Sequence, residues 1–151
     1  LDPRKCKKAT VFIITGKIKL YPAEFYDNGL PIIIAKTHRI HPQAIKPYIK
    51  SLNYLNNILA KIEAIDAGTD EALMLTHEGN VAECTGDNVF VVKNGELLTP
   101  PSEIGALEGV TQKVVIELAN LRKIKVSSTK VLFMNITCGI DKANKIIVKK
   151  R

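Results

Sequence analysis

The sequence contains few cysteines and no long apolar run. Its cysteines, Cys6, Cys84 and Cys138, are widely spaced and odd in number. They give neither a disulfide framework nor a zinc-binding spacing, so we expect no metal site. No apolar stretch reaches the roughly 20 residues that span a bilayer, and no signal-peptide pattern opens the chain. These absences predict a protein of the reducing cytoplasm with no membrane partner.

Acidic residues are almost missing from the C-terminal end. The last 30 residues hold nine Lys or Arg but Asp141 alone, whereas charges are nearly balanced over residues 1–121. The net charge of +7 is therefore a property of the tail. Such a basic run is more often a solvated tail than a phosphate-binding arm. It also lacks the interleaved aromatic residues of single-strand binders. We therefore do not expect a nucleic-acid partner. A basic nucleic-acid-binding module is an alternative hypothesis that rests on the tail alone.

What is present fits one medium-sized globular domain of 151 residues with 46% hydrophobic and 25% charged residues. A brief helix should follow Pro22. Strands are predicted at residues 10–15, 31–35, 71–76, 81–83, 89–92, 96–99, 124–127, 131–136 and 145–149. Turn chemistry at residues 77–80 and 94–95 joins neighbouring strands into hairpins. Strands outnumber helices and pair locally, which predicts an α+β or mixed α/β fold.

Two longer helices are predicted from three- and four-residue spacing. The first begins at Lys50 and ends before Gly68, after an ordered loop over residues 37–49. Its predicted apolar face consists of Leu52, Leu55, Ile58, Leu59, Ile62 and Ile65. The second helix covers residues 112–121, with Val114, Val115 and Leu118 spaced for burial.

Three places could carry chemistry. The first is Lys50, with Tyr54 four residues on and thus on the same helix face. A lysine in a dry pocket loses its proton more easily and can form an imine with an aldehyde. The second is Glu83, where a strand ends beside a flexible turn. The third is residues 107–111, because a helix N-terminus with a glycine and a hydroxyl can bind phosphate. Each pattern also fits an ordinary solvated lysine, an edge carboxylate or a helix cap.

Taken together, these places resemble the large domain of branched-chain amino-acid aminotransferases. Those are fold-type IV pyridoxal-phosphate enzymes, related to D-amino-acid aminotransferase and aminodeoxychorismate lyase. The resemblance runs in order through about residues 1–126. Its motifs are IKSLNYLNNILAKIEA from residue 49, EALML from residue 71, VAECTGDNVF from residue 81, LTPP from residue 98 and GALEGVT from residue 105. It implies a cofactor-binding domain with a mixed sheet or pseudo-barrel and flanking helices.

The resemblance also implies roles for single residues. Lys50 matches the lysine that forms a Schiff base with pyridoxal 5'-phosphate and shuttles the substrate proton. Tyr54 matches the tyrosine hydrogen-bonded to the cofactor's phenolic oxygen, and Glu83 the glutamate that keeps the pyridine nitrogen protonated. The other cofactor-binding positions are Gly86 in the turn beside the cofactor, Leu107 against the ring, Val110 and Thr111 at the phosphate, and Thr137 in a second phosphate loop.

The implied reaction passes an amino group between Leu, Ile or Val and 2-oxoglutarate, in a homodimer or larger oligomer. Residues 1–22 correspond to the end of the family's small N-terminal domain and its connector. Residues 23–151 correspond to the cofactor-binding domain, which diverges from about residue 122. The small domain supplies a phosphate-binding arginine and part of the substrate pocket in the family. The alternatives are therefore a catalytically silent truncated remnant, or a relative of the D-amino-acid aminotransferases and lyases.

Overall fold

The computed structural model describes residues 2–17, 22, 24–132 and 146–148. Its helices are α1 (Glu24–Asn28), α2 (Leu55–Asp66) and α3 (Val110–Leu121), with 3-10 turns at Pro3–Lys5 and Ser102–Ile104. Its strands are β1 (Leu30–Ile34), β2 (Glu71–Leu75), β3 (Val81–Cys84), β4 (Val91–Lys93), β5 (Glu96–Thr99), β6 (Val126–Ser128) and β7 (Ile146–Val148). This confirms the mixed class. None of the helices described is long and apolar enough to cross a membrane.

The first sheet has the strand order β3-β2-β1-β7. β2 and β3 form the predicted antiparallel hairpin, but β1 and β2 are parallel, with Ile33 opposite Ala72. A parallel pair needs a long crossover, which the loop after β1 and helix α2 provide. The pairing is thus less local than predicted. One face of the sheet packs into a core of Ile32, Leu73, Val81, Cys84 and Val131.

The second sheet has the order β4-β5-β6. Asn94 and Gly95 have φ values of 52° and 77°, the left-handed pair that a two-residue hairpin turn requires. The predicted hairpin of β4 and β5 is therefore confirmed. After β5 the chain passes through α3 and returns as β6, parallel to β5, with Leu97 opposite Val126. Helix α3 is the crossover of this sheet.

The first long helix begins later than predicted. α2 starts at Leu55, so Lys50 and Tyr54 precede the helix instead of sharing one of its faces. The side chain of Ser51 accepts a hydrogen bond from the backbone N–H of Asn53 at 3.2 Å. Such a local side-chain turn competes with helical hydrogen bonding. Lys50 consequently lies on a loop.

The predicted apolar face of α2 is also wrong. The residues buried against the sheet are Asn57, Ala60 and Ala64, and the two alanines are 0% exposed. They pack against Ala72 and Met74 of β2, because only small side chains let the helix lie this close to the strand. The predicted face is exposed along its whole length at Leu52, Leu55, Ile58, Leu59, Ile62 and Ile65.

Residues 10–15 do not form the predicted buried strand. They are without regular secondary structure, and the side chains of Val11, Phe12, Ile13 and Ile14 are 75–88% exposed. A strand exists only where its backbone finds a partner. The part of the chain that the structure describes supplies none for this segment.

Helix α3 and the tail differ from expectation in detail. α3 begins at Val110, and its buried residues are Gln112 and Ala119. Val114 and Leu118 are about half exposed, so their predicted burial is wrong, while Val115 is half-buried. Of the predicted tail strands, two are found as β6 and β7. Residues 133–136 of the third lie outside the described residues.

Glu63 of α2 holds the loop that follows β1. Its carboxylate accepts hydrogen bonds from the backbone N–H of Lys36 at 2.6 Å, and from the N–H and hydroxyl of Thr37 at 2.9 and 2.6 Å. Burial acts to raise the pKa of Glu63, but the bonds from Thr37 and Lys36 outweigh it and the pKa is lowered. The loop is thereby fixed to the helix at its first two residues.

We expect Glu63→Gln to lower the free energy of unfolding by about 1 to 2 kcal/mol, because an amide has one acceptor oxygen in place of two. The folded-state pKa of Glu63 lies below the unfolded value, so its stabilisation is present above the unfolded pKa and lost as pH falls through the folded one. Urea denaturation should therefore show a difference that is constant near neutral pH and shrinks below about pH 4.3. Glu117→Gln, on the exposed side of α3, is the control. A difference independent of pH would contradict the assignment.

Candidate functional site

A cavity of about 440 Å³ lies where the end of β3 and the start of α3 meet the loop before α2. Seven of the eight predicted site residues line this one cavity: Lys50, Tyr54, Glu83, Gly86, Leu107, Val110 and Thr111. The eighth, Thr137, lies outside the described residues. Three segments that are far apart in the chain are thus brought together by the fold. The chemical role of each residue stays a prediction.

Lys50 and Tyr54 form one wall of the cavity. The ammonium group of Lys50 donates to the Tyr54 hydroxyl at 3.4 Å, and its nitrogen lies 5.8 Å from the centre of the ring. Their contact was predicted from a shared helix face, which does not exist here. Successive turns bring them together instead, with the N–H of Tyr54 bonded to the carbonyl of Leu52 at 2.9 Å. The result is an accessible primary amine beside a phenol.

Glu83 is a buried carboxylate at the end of β3 and is 6% exposed. Its Oε1 lies 2.8 Å from Nε of Arg39, and its Oε2 accepts the backbone N–H of Leu107 at 2.9 Å. Burial raises the pKa of Glu83, and the charge of Arg39, the Leu107 N–H and the charge of Lys50 oppose that rise. The carboxylate is therefore held in place by donors from two different loops.

The turn after β3 is held in place by a second buried carboxylate, that of Glu71. Glu71 Oε1 accepts both the N–H and the hydroxyl of Thr85, at 3.0 and 2.5 Å. The carbonyl of Thr85 accepts from the Asn57 side chain at 2.8 Å. These bonds leave Gly86 at the exposed tip of the turn, on the cavity wall. The turn that carries Gly86 is thus positioned by the sheet and by α2 together.

The N-terminus of α3 opens into the cavity. Gly109 is the N-cap residue, and no side chain caps the helix there. Val110 and Thr111 form the first turn and are exposed. Gln112, which is buried, donates to the hydroxyl of Thr99 at 3.0 Å and so ties the helix start to β5. Backbone N–H groups at such a terminus favour an anion.

Among the polar residues of the site that were not predicted, four make its supporting contacts: Arg39, Asn57, Asn88 and Gln112. Arg39 and Asn57 contact the Glu83 carboxylate and the Thr85 carbonyl. Asn88 donates to the Leu107 carbonyl at 2.7 Å. For Asn57 a signal was available in the spacing, since it lies three and seven residues before the small residues Ala60 and Ala64 and so on the same helix face. For the other three, the single sequence holds no pattern that separates them from surface residues.

Comparison with known proteins gives the class to which this site belongs. Residues 2–138 match the amino-transferase class IV family. The chain is 47% identical over 126 residues to a putative branched-chain-amino-acid aminotransferase of Methanocaldococcus jannaschii, covering 83% of this chain and 43% of that protein. The chain thus spans less than half the length of that relative.

Solved structures of similar proteins agree in fold. The branched-chain aminotransferase of Thermoproteus uzoniensis with norvaline superposes with a TM-score of 0.69 at 37% identity, covering 71% of this chain and 36% of that one. The enzyme of Thermobaculum terrenum in its pyridoxal-phosphate form gives a TM-score of 0.71 at 33% identity, covering 85% and 42%. The chain belongs to the class IV aminotransferase family.

Proposed function

We propose that this chain binds pyridoxal 5'-phosphate and serves in amino-group transfer between branched-chain amino acids (Leu, Ile and Val) and 2-oxoglutarate. The observation that carries the proposal is the meeting of Lys50, Glu83 and the α3 N-terminus at one cavity. The substrate class is supported by the similarity to the branched-chain aminotransferases of Methanocaldococcus jannaschii and Thermoproteus uzoniensis.

The chemistry of the cavity fits this cofactor. Its volume of about 440 Å³ lies within the range of small-molecule sites, roughly 300–1,000 Å³. A primary amine, a buried carboxylate and an uncapped helix start are three different groups, and the cofactor has a matching aldehyde, ring nitrogen and phosphate. When bound, pyridoxal phosphate supplies a ring that accepts electrons from the substrate α-carbon.

Lys50 would hold the cofactor covalently. Its primary amine would be the group that joins the cofactor's aldehyde carbon, with the loss of one water molecule. The Lys50 amine would also be the group that takes a proton from the substrate α-carbon and returns it to the cofactor. The Tyr54 hydroxyl, 3.4 Å from Lys50 Nζ, is placed to donate to an oxygen beside that bond.

Glu83 and the start of α3 would hold the two ends of the cofactor. The Glu83 carboxylate would accept a hydrogen bond from the protonated ring nitrogen and so keep the proton there. Val110 and Thr111 offer backbone N–H groups, and Thr111 also a hydroxyl, to the phosphate. Leu107 and Gly86, which also line the cavity, would lie beside the ring.

The proposal is tested by adding pyridoxal phosphate to the purified chain and recording its visible absorption spectrum. We expect a protein-bound band that borohydride removes by reduction, and a weaker response to pyridoxal, which lacks the phosphate. Glutamate formation from 2-oxoglutarate with Leu, Ile or Val then measures transfer, with D-alanine as the comparison substrate. Absence of the band would overturn the proposal as a whole. A band without transfer from any of the three amino acids would overturn the transamination and leave cofactor binding. Transfer from D-alanine alone would favour the D-amino-acid branch.

A further inference from the structure

Arg39 is a largely buried charge that none of the catalytic roles above uses. It lies on the loop between β1 and α2, and its side chain is 12% exposed. Its backbone N–H is bonded to the carbonyl of Leu75 at 2.8 Å, so the loop continues along the edge of β2. A buried guanidinium is costly unless its donors are satisfied. The burial of Arg39 must therefore be explained by the contacts that its guanidinium group makes.

The guanidinium group contacts four residues, which belong to three other parts of the fold. Nε donates to the Gly105 carbonyl at 2.9 Å and lies 2.8 Å from Oε1 of Glu83. Nη1 donates to the side-chain oxygens of Asn57 at 2.7 Å and Asn56 at 3.2 Å. The two amide oxygens set the plane of the guanidinium, so the group has one orientation toward Glu83.

The loop that lies against Arg39 is shaped to allow this contact. Gly105 has a φ of 127°, and a Cβ atom there would lie 3.0 Å from Cγ of Arg39. Only glycine permits this backbone to pass so close to the arginine. Two residues later the N–H of Leu107 reaches the other oxygen of Glu83. One loop thus covers Arg39 and supplies the second donor to the carboxylate.

We propose that Arg39 is a positioning residue that keeps Glu83 ionised and pointed into the cavity, oriented in turn by Asn56 and Asn57. The inference rests on the proposed function in one respect: the ionised carboxylate is then the acceptor for the cofactor's ring nitrogen. A carboxylate has about four acceptor positions. The Arg39 guanidinium lies against one oxygen and the Leu107 N–H is bonded to the other, which leaves a position for a ligand in the cavity.

Of the groups that favour the ionised form of Glu83, Arg39 has the largest effect. Arg39 and Lys50 are charged side chains that act on Glu83, and both favour the carboxylate against burial. If Lys50 is bonded to the cofactor as proposed, Arg39 is the charge that stays beside Glu83. An opposite charge within about 4–6 Å lowers a carboxyl pKa by about 1 to 3 units. Without Arg39, the Leu107 N–H and the charge of Lys50 would remain to oppose burial, and the already raised pKa of Glu83 would rise further.

The test titrates Glu83 in the chain with no cofactor added. Carbon-13 labelled glutamate allows the Glu83 carboxyl resonance to be followed against pH, and Glu83→Gln identifies it by its loss. We expect Arg39→Gln to raise the midpoint by about 1 to 3 units, and Arg39→Lys, which keeps the charge, to raise it by less. Circular dichroism establishes that each variant is folded. An unchanged midpoint in a folded Arg39→Gln would show that the arginine is structural only and would overturn the proposal.

A second measurement needs no variant of Arg39, should Arg39→Gln not fold. In the unmodified chain, the Nε resonance of Arg39 should shift with the same midpoint as the Glu83 carboxyl, since the two atoms share one ion pair. Separate midpoints would overturn the proposal. Neither measurement involves pyridoxal phosphate. A chain that fails to bind the cofactor therefore refutes the proposed function, whereas an unchanged Glu83 titration refutes only the role of Arg39.

Discussion

Lys50→Ala should abolish the covalent attachment of pyridoxal phosphate. Lys50 is the amine that lines the cavity within reach of Tyr54, and alanine offers no nucleophile for the aldehyde. After incubation with cofactor and borohydride, mass spectrometry should find the reduced cofactor on a peptide containing Lys50 in the unmodified chain and no such peptide in the variant. Transfer of amino groups should fall by about 10²-fold or more, in keeping with the loss of a proton-transferring group.

Lys46→Ala is the matched control, because Lys46 is an exposed lysine on the same loop and does not line the cavity. It should keep both the trapped peptide and the absorption band. Cofactor found on Lys46, or trapping that persists undiminished in Lys50→Ala, would contradict the assignment of Lys50. Because alanine at residue 50 removes no core contact, the variant should unfold at the same urea concentration as the unmodified chain. The loss can then be attributed to the amine.

The positions of the site residues could be predicted because several local motifs together, in their order along the chain, resemble those of one family, although each motif alone also fits an ordinary residue. Lys50, Glu83 and Thr111 each stand at the end of an element or in a turn. Residue type alone indicates that a strand changes to a turn at residues 83–88 and that a glycine precedes α3. What brings them together is the parallel pairing of β1 with β2 and of β5 with β6, which sequence patterns with local hairpins do not indicate.

The supporting contacts could not be predicted, since they join residues across long separations. Arg39 reaches Gly105 across 66 positions, and Asn57 reaches Thr85 across 28. Each residue is of a type that is usually exposed. Its burial follows from the packing of α2 and the 105–107 loop, and packing of this kind has no period in the sequence. The polar network around Glu83 is therefore visible only in three dimensions.

Helix α2 shows a different limit of the hydrophobic pattern. Its large apolar residues have the correct helical period, yet the helix faces the sheet with Ala60 and Ala64. The close approach between helix and strand depends on small side chains. A pattern based on hydrophobicity gives little weight to alanine. Asn56 and Asn57 then lie near enough to bind Arg39. The small face of α2 is thus part of what positions the site.

Ala64→Leu should consequently destabilise the chain more than the removal of a large apolar side chain from the same helix. Ala64 is fully buried beside Ala72 and Met74, and three added carbons have no space there. Overpacking of this kind costs about 1 to 3 kcal/mol. Ile62→Ala, at a residue that is 46% exposed, should cost less than about 1 kcal/mol, and the better helix propensity of alanine offsets part of that loss. Urea denaturation of both variants measures the order.

The opposite order would mean that the apolar pattern, and not the small residues, defines the packed face. Ala67→Leu gives the matched control, since Ala67 is exposed at the end of α2 and the same change there should stay within about 0.5 kcal/mol. Ala64→Leu should also weaken cofactor binding, because a displaced α2 moves Asn57 away from Arg39 and from the Thr85 carbonyl. Ile62→Ala leaves both contacts in place and should bind the cofactor as the unmodified chain does. A stability loss and a binding loss that occur together in Ala64→Leu alone would connect the packing of α2 to the geometry of the cavity.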